Sequence, residues 1–270
     1  HGLPIVYDIE DMVCIGKKKK ICPYFTLRNL VNHAGIIFCP YNYLIDPRIR
    51  SSMNVNLNNS IVIMDEAHNI EDICRDVGSL LLKQLDLEDA MKECRDNIKK
   101  GRNPKEYTII EDFLQSLYSW LDSLGPTIQY SDMNEAKTTM TGEDVVNRLH
   151  LSDVTKEKFG LFMESLSNID TLKAEQPDLN YGVSGKINQL SGDIVVVLNY
   201  LYEANNMRKY KAYLNREVGS NDLKEQEKSE WFTKPSRGRG QSDKERVWKY
   251  SLHLLCLSPD IVFSELLRAR

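Results

Sequence analysis

Ile61-Val-Ile-Met-Asp-Glu-Ala-His-Asn-Ile-Glu71 sets four apolar residues directly before two adjacent carboxylates and a histidine. Ile61–Met64 is short, mostly β-branched and does not alternate, as expected of a central strand buried on both faces of a parallel α/β sheet. Gly35-Ile-Ile-Phe-Cys39 is a second such run, and Pro40 ends it as proline ends a strand. In α/β sheets ligands bind beyond the carboxyl ends of the strands, so a side chain directly after a buried strand is held at the ligand edge. There Asp65 can hold Mg²⁺, a hard cation that prefers oxygen. Glu66 beside it can orient and deprotonate the water that attacks a γ-phosphate, because phosphoryl transfer depends on positioning and charge neutralisation. Ala67 leaves room for close backbone packing, and His68 can donate a hydrogen bond to a neighbouring element. The competing reading is a helix N-terminus carrying acids that suit its dipole.

The totals set outer bounds. The 270 residues suffice for one large domain or two ordinary ones. With 41% hydrophobic and 27% charged residues, the composition is that of a soluble globular protein. A net charge of −4 restricts any basic surface to a local patch. No apolar run approaches the roughly 20 residues that span a bilayer, and no signal peptide opens the chain. Cysteines 14, 22, 39, 74, 94 and 256 form no CxxC pair, which argues for a reducing compartment and against a disulfide scaffold. The chain opens at His1 without an initiator Met and reads as an internal fragment.

Lys17–Lys20 form a basic run before Ile21-Cys22-Pro23-Tyr24, and a short helix is expected over about Phe25–Asn32. Beyond Leu85 the apolar period becomes helical. Asp86 is placed to cap a helix running to Lys100, with Gly101 as its stop. Ile110 to Leu124, Phe159 to Ile169 and Ile187 to Leu201 mark three further helices. Their stripes are read as packing core. Alternation then returns over Val247–Cys256, with Tyr210, Ala212 and Leu214 as a partner strand. Residues 219–246, including Arg237-Gly-Arg-Gly240, are polar and read as a mobile loop.

"ICPYFTLRNL", "IIFCPYNYLID" and "DEAHNIEDICRD" occur in the order and spacing of the iron–sulfur superfamily 2 DNA helicases of the xeroderma pigmentosum group D type, which this chain resembles. The likeness is dense over 8–82, thin through the helical middle and returns weakly over 247–266. The resemblance implies a RecA-like parallel-sheet motor domain with a helical arch domain inserted. Its divisions would be 1–34 as the tail of the iron–sulfur domain, 35–82 as part of the first motor domain, 83–243 as the arch and 244–270 as a return to the motor. It makes Asp65 the Mg²⁺ ligand for ATP, Glu66 the residue that activates water, and His68 the coupler to the DNA side. It matches Cys22 to the last of four thiolates on a [4Fe–4S] cluster, of which the chain supplies one. Lys17, Lys18, Lys19 and Lys20, with Tyr41 and Asn42, become candidate contacts to single-stranded or forked DNA. Against that, a bare charge run is commonly a solvated face, and Tyr41 and Asn42 serve equally well to cap a sheet.

The departures from the family pattern matter as much. The Gly-Lys pairs at 16–17 and 185–186 lack the earlier glycine of a P-loop, and motif III is missing. The chain alone is therefore expected neither to hydrolyse ATP nor to hold its cluster. The implied setting is nuclear genome maintenance, with repair proteins docking on the arch and no membrane. A non-catalytic interaction module with a vestigial DEAH box is the alternative.

Overall fold

Asp8 opens the first helix by closing a reciprocal cap. In the computed structural model, which describes residues 7–53, 55–127, 138–175, 185–203, 205–218 and 248–268, Asp8 Oδ1 accepts from Asp11 N–H at 2.9 Å. Asp11 Oδ2 in turn accepts from Asp8 N–H at 3.3 Å, satisfying two otherwise orphaned donors. This helix, α1 (Ile9–Lys19), ends with Lys20 in the left-handed region at φ 54°. A tight turn leads to α2 (Pro23–Leu30), which starts two residues earlier than the apolar pattern suggests because Pro23 suits the first helical position. One 3₁₀ turn, Val31–His33, finishes it. Gly16 sits where a Cβ would meet Pro23 Cγ at 2.7 Å and the Ile21 carbonyl at 2.9 Å, so the turn has no room for a side chain.

The chain packs as two units, His1–Cys74 with Val262–Arg270, and Arg75–Ile261. In the first unit, α3 (Asn42–Ile45) and α4 (Pro47–Ser52) are joined by Asp46. Its carboxylate is buried and takes both Nε and Nη2 of Arg48, at 3.0 and 2.7 Å, as well as the Arg48 N–H at 2.9 Å. Burial alone would raise its pKa; the Arg48 guanidinium and the backbone N–H groups outweigh it and hold the carboxyl below its ordinary value. The unfolded chain therefore binds this proton more readily than the folded one. The stabilisation is complete above the unfolded pKa of about 3.9 and is lost as pH falls through the folded value. Asp46→Asn is expected to cost about 1–3 kcal/mol near neutral pH. Urea midpoints of the two proteins should converge as the pH is lowered below about 4.

Gly35–Cys39 and Ile61–Met64, expected as strands, run without regular secondary structure. Phe38, Ile61 and Ile63 are 96%, 91% and 88% exposed. A strand exists through its neighbours' hydrogen bonds, and among the described residues no strand lies beside either run. The only sheet described is antiparallel, so the parallel motor sheet is not seen. The helix α5 (Ile70–Val77) leads out of this unit.

The second unit is built on four antiparallel strands in the order β1-β4-β3-β2. They are β1 (Leu80–Lys83), β2 (Thr138–Thr141), β3 (Tyr210–Val218) and β4 (Trp248–Cys256). The β3–β4 pair is the one alternation suggests, with Ala212 opposite Leu254 and Leu214 opposite Leu252. β1 and β2, four residues each, are too short for a periodic signal. β1 runs straight into α6 (Gln84–Lys99), so Lys83 holds the N-cap position and Asp86 lies inside the helix, correcting its assignment as the cap. Gly101, at φ 69°, provides the expected stop.

Four more helices follow: α7 (Pro104–Leu124), α8 (Gly142–Leu151), α9 (Lys156–Glu175) and α10 (Gly185–Leu201). One sheet face buries Leu80, Leu82, Ala212, Leu252 and Leu254. Leu117, Trp120, Val145, Leu149, Ile194 and Leu198, from α7, α8 and α10, meet it around a small apolar void. Gln84, 1% exposed, links the layers: its Oε1 accepts from Tyr250 N–H at 2.8 Å and its Nε2 donates to Asp122 Oδ1 at 3.3 Å. A last helix, α11 (Asp260–Arg268), returns to the first unit. The loop expected at 219–246 lies outside the described residues.

Gly142, where β2 turns into α8, is the tightest backbone contact. A Cβ there would lie 2.1 Å from the Met207 carbonyl oxygen and 2.9 Å from Tyr210 Cβ. Both obstacles are firmly placed, so Gly142→Ala is expected to destabilise by about 1–3 kcal/mol in chemical denaturation.

Candidate functional site

The extended run 61–64 bends at Asp65 and Glu66, makes one 3₁₀ turn over Ala67–Asn69, and enters α5. Glu66 occupies the left-handed region at φ 48°, ψ 47°, an unfavourable place for a residue with a side chain. Local hydrogen bonds hold it there. Asp65 Oδ1 accepts from Glu66 N–H at 3.0 Å, and the Glu66 carbonyl accepts from Asn69 N–H at 3.1 Å and Asn69 Nδ2 at 3.3 Å. His68 Nδ1 stands 3.2 Å from Glu66 Oε2, with both side chains 71% exposed. The two acids thus lie neither inside a helix nor at the end of a paired strand. They sit on the bend between an extended segment and a helical one, open to solvent.

Two adjacent hard oxygen donors fit Mg²⁺, which keeps several waters and is commonly held by one or two carboxylates plus phosphate oxygens. Among the described residues no three His, Cys, Asp or Glu side chains gather into a complete metal cage. The bend would therefore share a metal with a ligand rather than enclose it.

Cys22 is the N-cap of α2, its thiol exposed and its carbonyl accepting from Thr26 Oγ1 at 2.8 Å. Cys14 and Cys39 are exposed, whereas Cys74, Cys94 and Cys256 are buried. No constellation of four thiolates exists among the described residues, so they do not fit an iron–sulfur cluster. Lys17, Lys18 and Lys19 form the last turn of α1 and Lys20 its cap, all exposed. The four cations thus end α1 just before the tight turn that leads to Cys22 at the start of α2. Placing them at the negative end of the helix dipole also gives them a local stabilising role. Tyr41, half-buried, starts α3 by accepting Leu44 and Ile45 N–H at its carbonyl, while Asn42 begins the helix with its side chain exposed.

The structure thus collects Asp65, Glu66 and His68 on one turn and Lys17–Lys20 with Cys22 on another. Sequence reasoning passed over Asp46, although Asp46-Pro47 is a cap followed by proline at the first helical position. No helix of the described residues is long and apolar enough to cross a membrane.

Residues 2–87 match the DEAD_2 family. Over 98% of its length the chain is 31% identical to the Fanconi anemia group J protein homolog of Gallus gallus, and it spans 22% of that protein. It is 48% identical over 94 residues to a regulator of telomere elongation helicase 1 homolog of Anopheles gambiae, covering 35% of this chain and 10% of the relative. The counterpart from Drosophila willistoni is 42% identical over 116 residues, 39% of this chain and 12% of the relative. The chain therefore spans at most about a fifth of these relatives. The DEAD_2 match contains the whole DEAH bend, the Lys17–Cys22 turn and the Asp46 cap. The DEAD_2 match over residues 2–87 and these helicase relatives support the family that the sequence resembles, the iron–sulfur superfamily 2 helicases of the xeroderma pigmentosum group D type.

Proposed function

We propose that this chain is part of an ATP-dependent DNA helicase that moves 5′→3′ on single-stranded DNA and serves genome maintenance in the nucleus. The observation that carries the reading is the solvent-open Asp65–Glu66 pair, fixed on a bend after an apolar extended segment within the residues that match DEAD_2. In this reading Asp65 would hold Mg²⁺, whose charge would offset that of the ATP phosphates. Glu66 orients the attacking water and takes its proton. His68, beside Glu66, carries the state of that carboxylate toward the DNA side.

Residues 1–34 would be the tail of the iron–sulfur domain, 35–82 part of the first RecA-like motor domain, 83–243 the arch and 244–270 the return to the motor. The separate packing of Arg75–Ile261 supports an arch with its own core. Lys17–Lys20 supply phosphate contacts near the fork, and Tyr41 and Asn42 line the strand path. In the whole protein the cluster would need three cysteines beyond Cys22. Without a P-loop lysine the 270 residues alone would not turn over ATP.

The transcript that encodes the chain tests this reading. A P-loop and three spaced cysteine codons upstream of His1 are expected. A start codon immediately before His1 would instead leave a non-catalytic interaction module.

A further inference from the structure

Of the nine prolines, only Pro259 follows a serine or threonine, so Ser258-Pro259 is the single dipeptide of its kind in the sequence. It lies in the second unit, on the irregular link from β4 to α11. Leu257 before it and Asp260 after it are exposed, while Ser258 and Pro259 are half-buried. The proline biases Ser258 toward extended backbone, the form in which a kinase groove takes a substrate strand. Among the described residues the Ser258 hydroxyl caps no helix N–H. It donates instead to Asp260 Oδ1, and Asp260 Oδ2 accepts from Lys209 Nζ at 2.6 Å. Lys209 and the Ser258 hydroxyl together hold the Asp260 carboxyl below its ordinary pKa. Lys209 ends the 3₁₀ turn Met207–Lys209 and is tied to the link, its carbonyl accepting from Leu257 N–H at 2.8 Å.

From this geometry we infer that Ser258 is a phosphorylation site for a proline-directed serine/threonine kinase, with Lys209 as the cation that receives the phosphate. The transfer joins Ser258 Oγ to the γ-phosphorus of ATP and breaks the bridging P–O bond, so that ADP leaves. The hydroxyl proton passes to the kinase's own catalytic base. Phosphorylation removes the donor that Asp260 accepts and puts three acceptor oxygens and about −1.5 to −2 charge in its place. Phosphate and Asp260 then repel each other. Lys209, whose side chain is 34% exposed, already lies against Asp260 and is the cation for which the two anions compete. The more highly charged phosphate takes it through charge-assisted hydrogen bonds, and the Asp260–Lys209 pair opens. A serine serving only to start α11 would accept from a helix N–H; this one donates to a carboxylate. The inference stands apart from the reading of the DEAH bend.

Incubating the folded 270-residue chain with a proline-directed kinase and Mg·ATP, followed by peptide mapping in a mass spectrometer, tests it. One phosphate is expected on Ser258, and none there in Ser258→Ala. Pro259→Ala should take up phosphate about 10-fold more slowly or worse, because the kinase loses the ring it selects. A kinase that selects basic flanks should leave Ser258 unmodified in the parent chain, a comparison that needs no variant to fold. Phosphorus NMR of the modified chain then reads the second ionisation of the phosphate. In Lys209→Ala its midpoint should move upward by roughly half a unit or more, because the dianion has lost its cation. Circular dichroism melts confirm that each variant keeps its fold. The inference is overturned if the folded chain takes no phosphate, if phosphate appears only on other residues, or if Pro259→Ala and the basic-flank kinase react like the parent pair. An unmoved midpoint in Lys209→Ala overturns the assignment of Lys209.

Discussion

Phe113→Ala should lower the stability of the second unit by about 3–5 kcal/mol. Phe113 lies on α7, 1% exposed, and its ring stacks on Phe162 of α9 at 4.4 Å, with Phe159 at 6.0 Å. Removing it takes away the transfer energy of a whole aromatic side chain and opens a void that rigid helix backbones fill poorly. For a unit of this size the loss corresponds to a fall in Tm of about 10 °C. Thermal melts followed by far-ultraviolet circular dichroism read it directly. An exposed position on the same helix, Lys105→Ala, should change the melt by less than about 0.5 kcal/mol. A Phe113→Ala protein melting with the parent would mean that the α7–α9 packing is not what holds this unit together.

The second large effect concerns chemistry. In the longer protein that carries a P-loop, Glu66→Gln should reduce DNA-stimulated ATP hydrolysis by about 10²–10⁴-fold, the typical contribution of a general base. The amide keeps the size of the side chain and allows the left-handed backbone, which Asp65 and Asn69 hold through backbone groups. ATP binding should therefore survive. Loss of turnover with retained nucleotide binding separates a catalytic role from a merely architectural one. Turnover unchanged in this variant removes Glu66 from the mechanism.

The parts of this architecture that the sequence discloses are those whose signal is local and repeated. The stripes at Ile110–Leu124, Phe159–Ile169 and Ile187–Leu201 became buried helices because each repeats its apolar spacing over three or more turns. The β3–β4 pair was legible because Trp248, Tyr250, Leu252, Leu254 and Cys256 fall on alternate positions, and Tyr210, Ala212 and Leu214 repeat that period on the partner. β1 and β2 were not legible, since four residues can alternate by chance and their place is set by distant partners. Asp86 looked like a cap only because Leu80–Lys83 was not recognised as a strand running straight into the helix. The two greasy runs at 35–39 and 61–64 carry the residue types of buried strands. A strand also needs partners, and those depend on chain far away. The acid pair was legible as a candidate because its neighbours in sequence, Glu66, His68 and Asn69, are its neighbours in space. The cation beside Ser258 was not, because Lys209 meets Asp260 across 51 positions of sequence.

To drive an ATP-powered motor, Asp65 and Glu66 must face a metal-bound triphosphate at the end of a buried strand. A crystal structure of the longer protein with Mg²⁺ and a non-hydrolysable ATP analogue measures this most directly. It should show Ile61–Met64 hydrogen-bonded as a central parallel strand and an Asp65 oxygen bound to Mg²⁺ or to one of its waters. Glu66 should stand within hydrogen-bond reach of the water in line with the γ-phosphate. Nucleotide bound far from this bend, or both acids drawn into an unbroken helix, would contradict it.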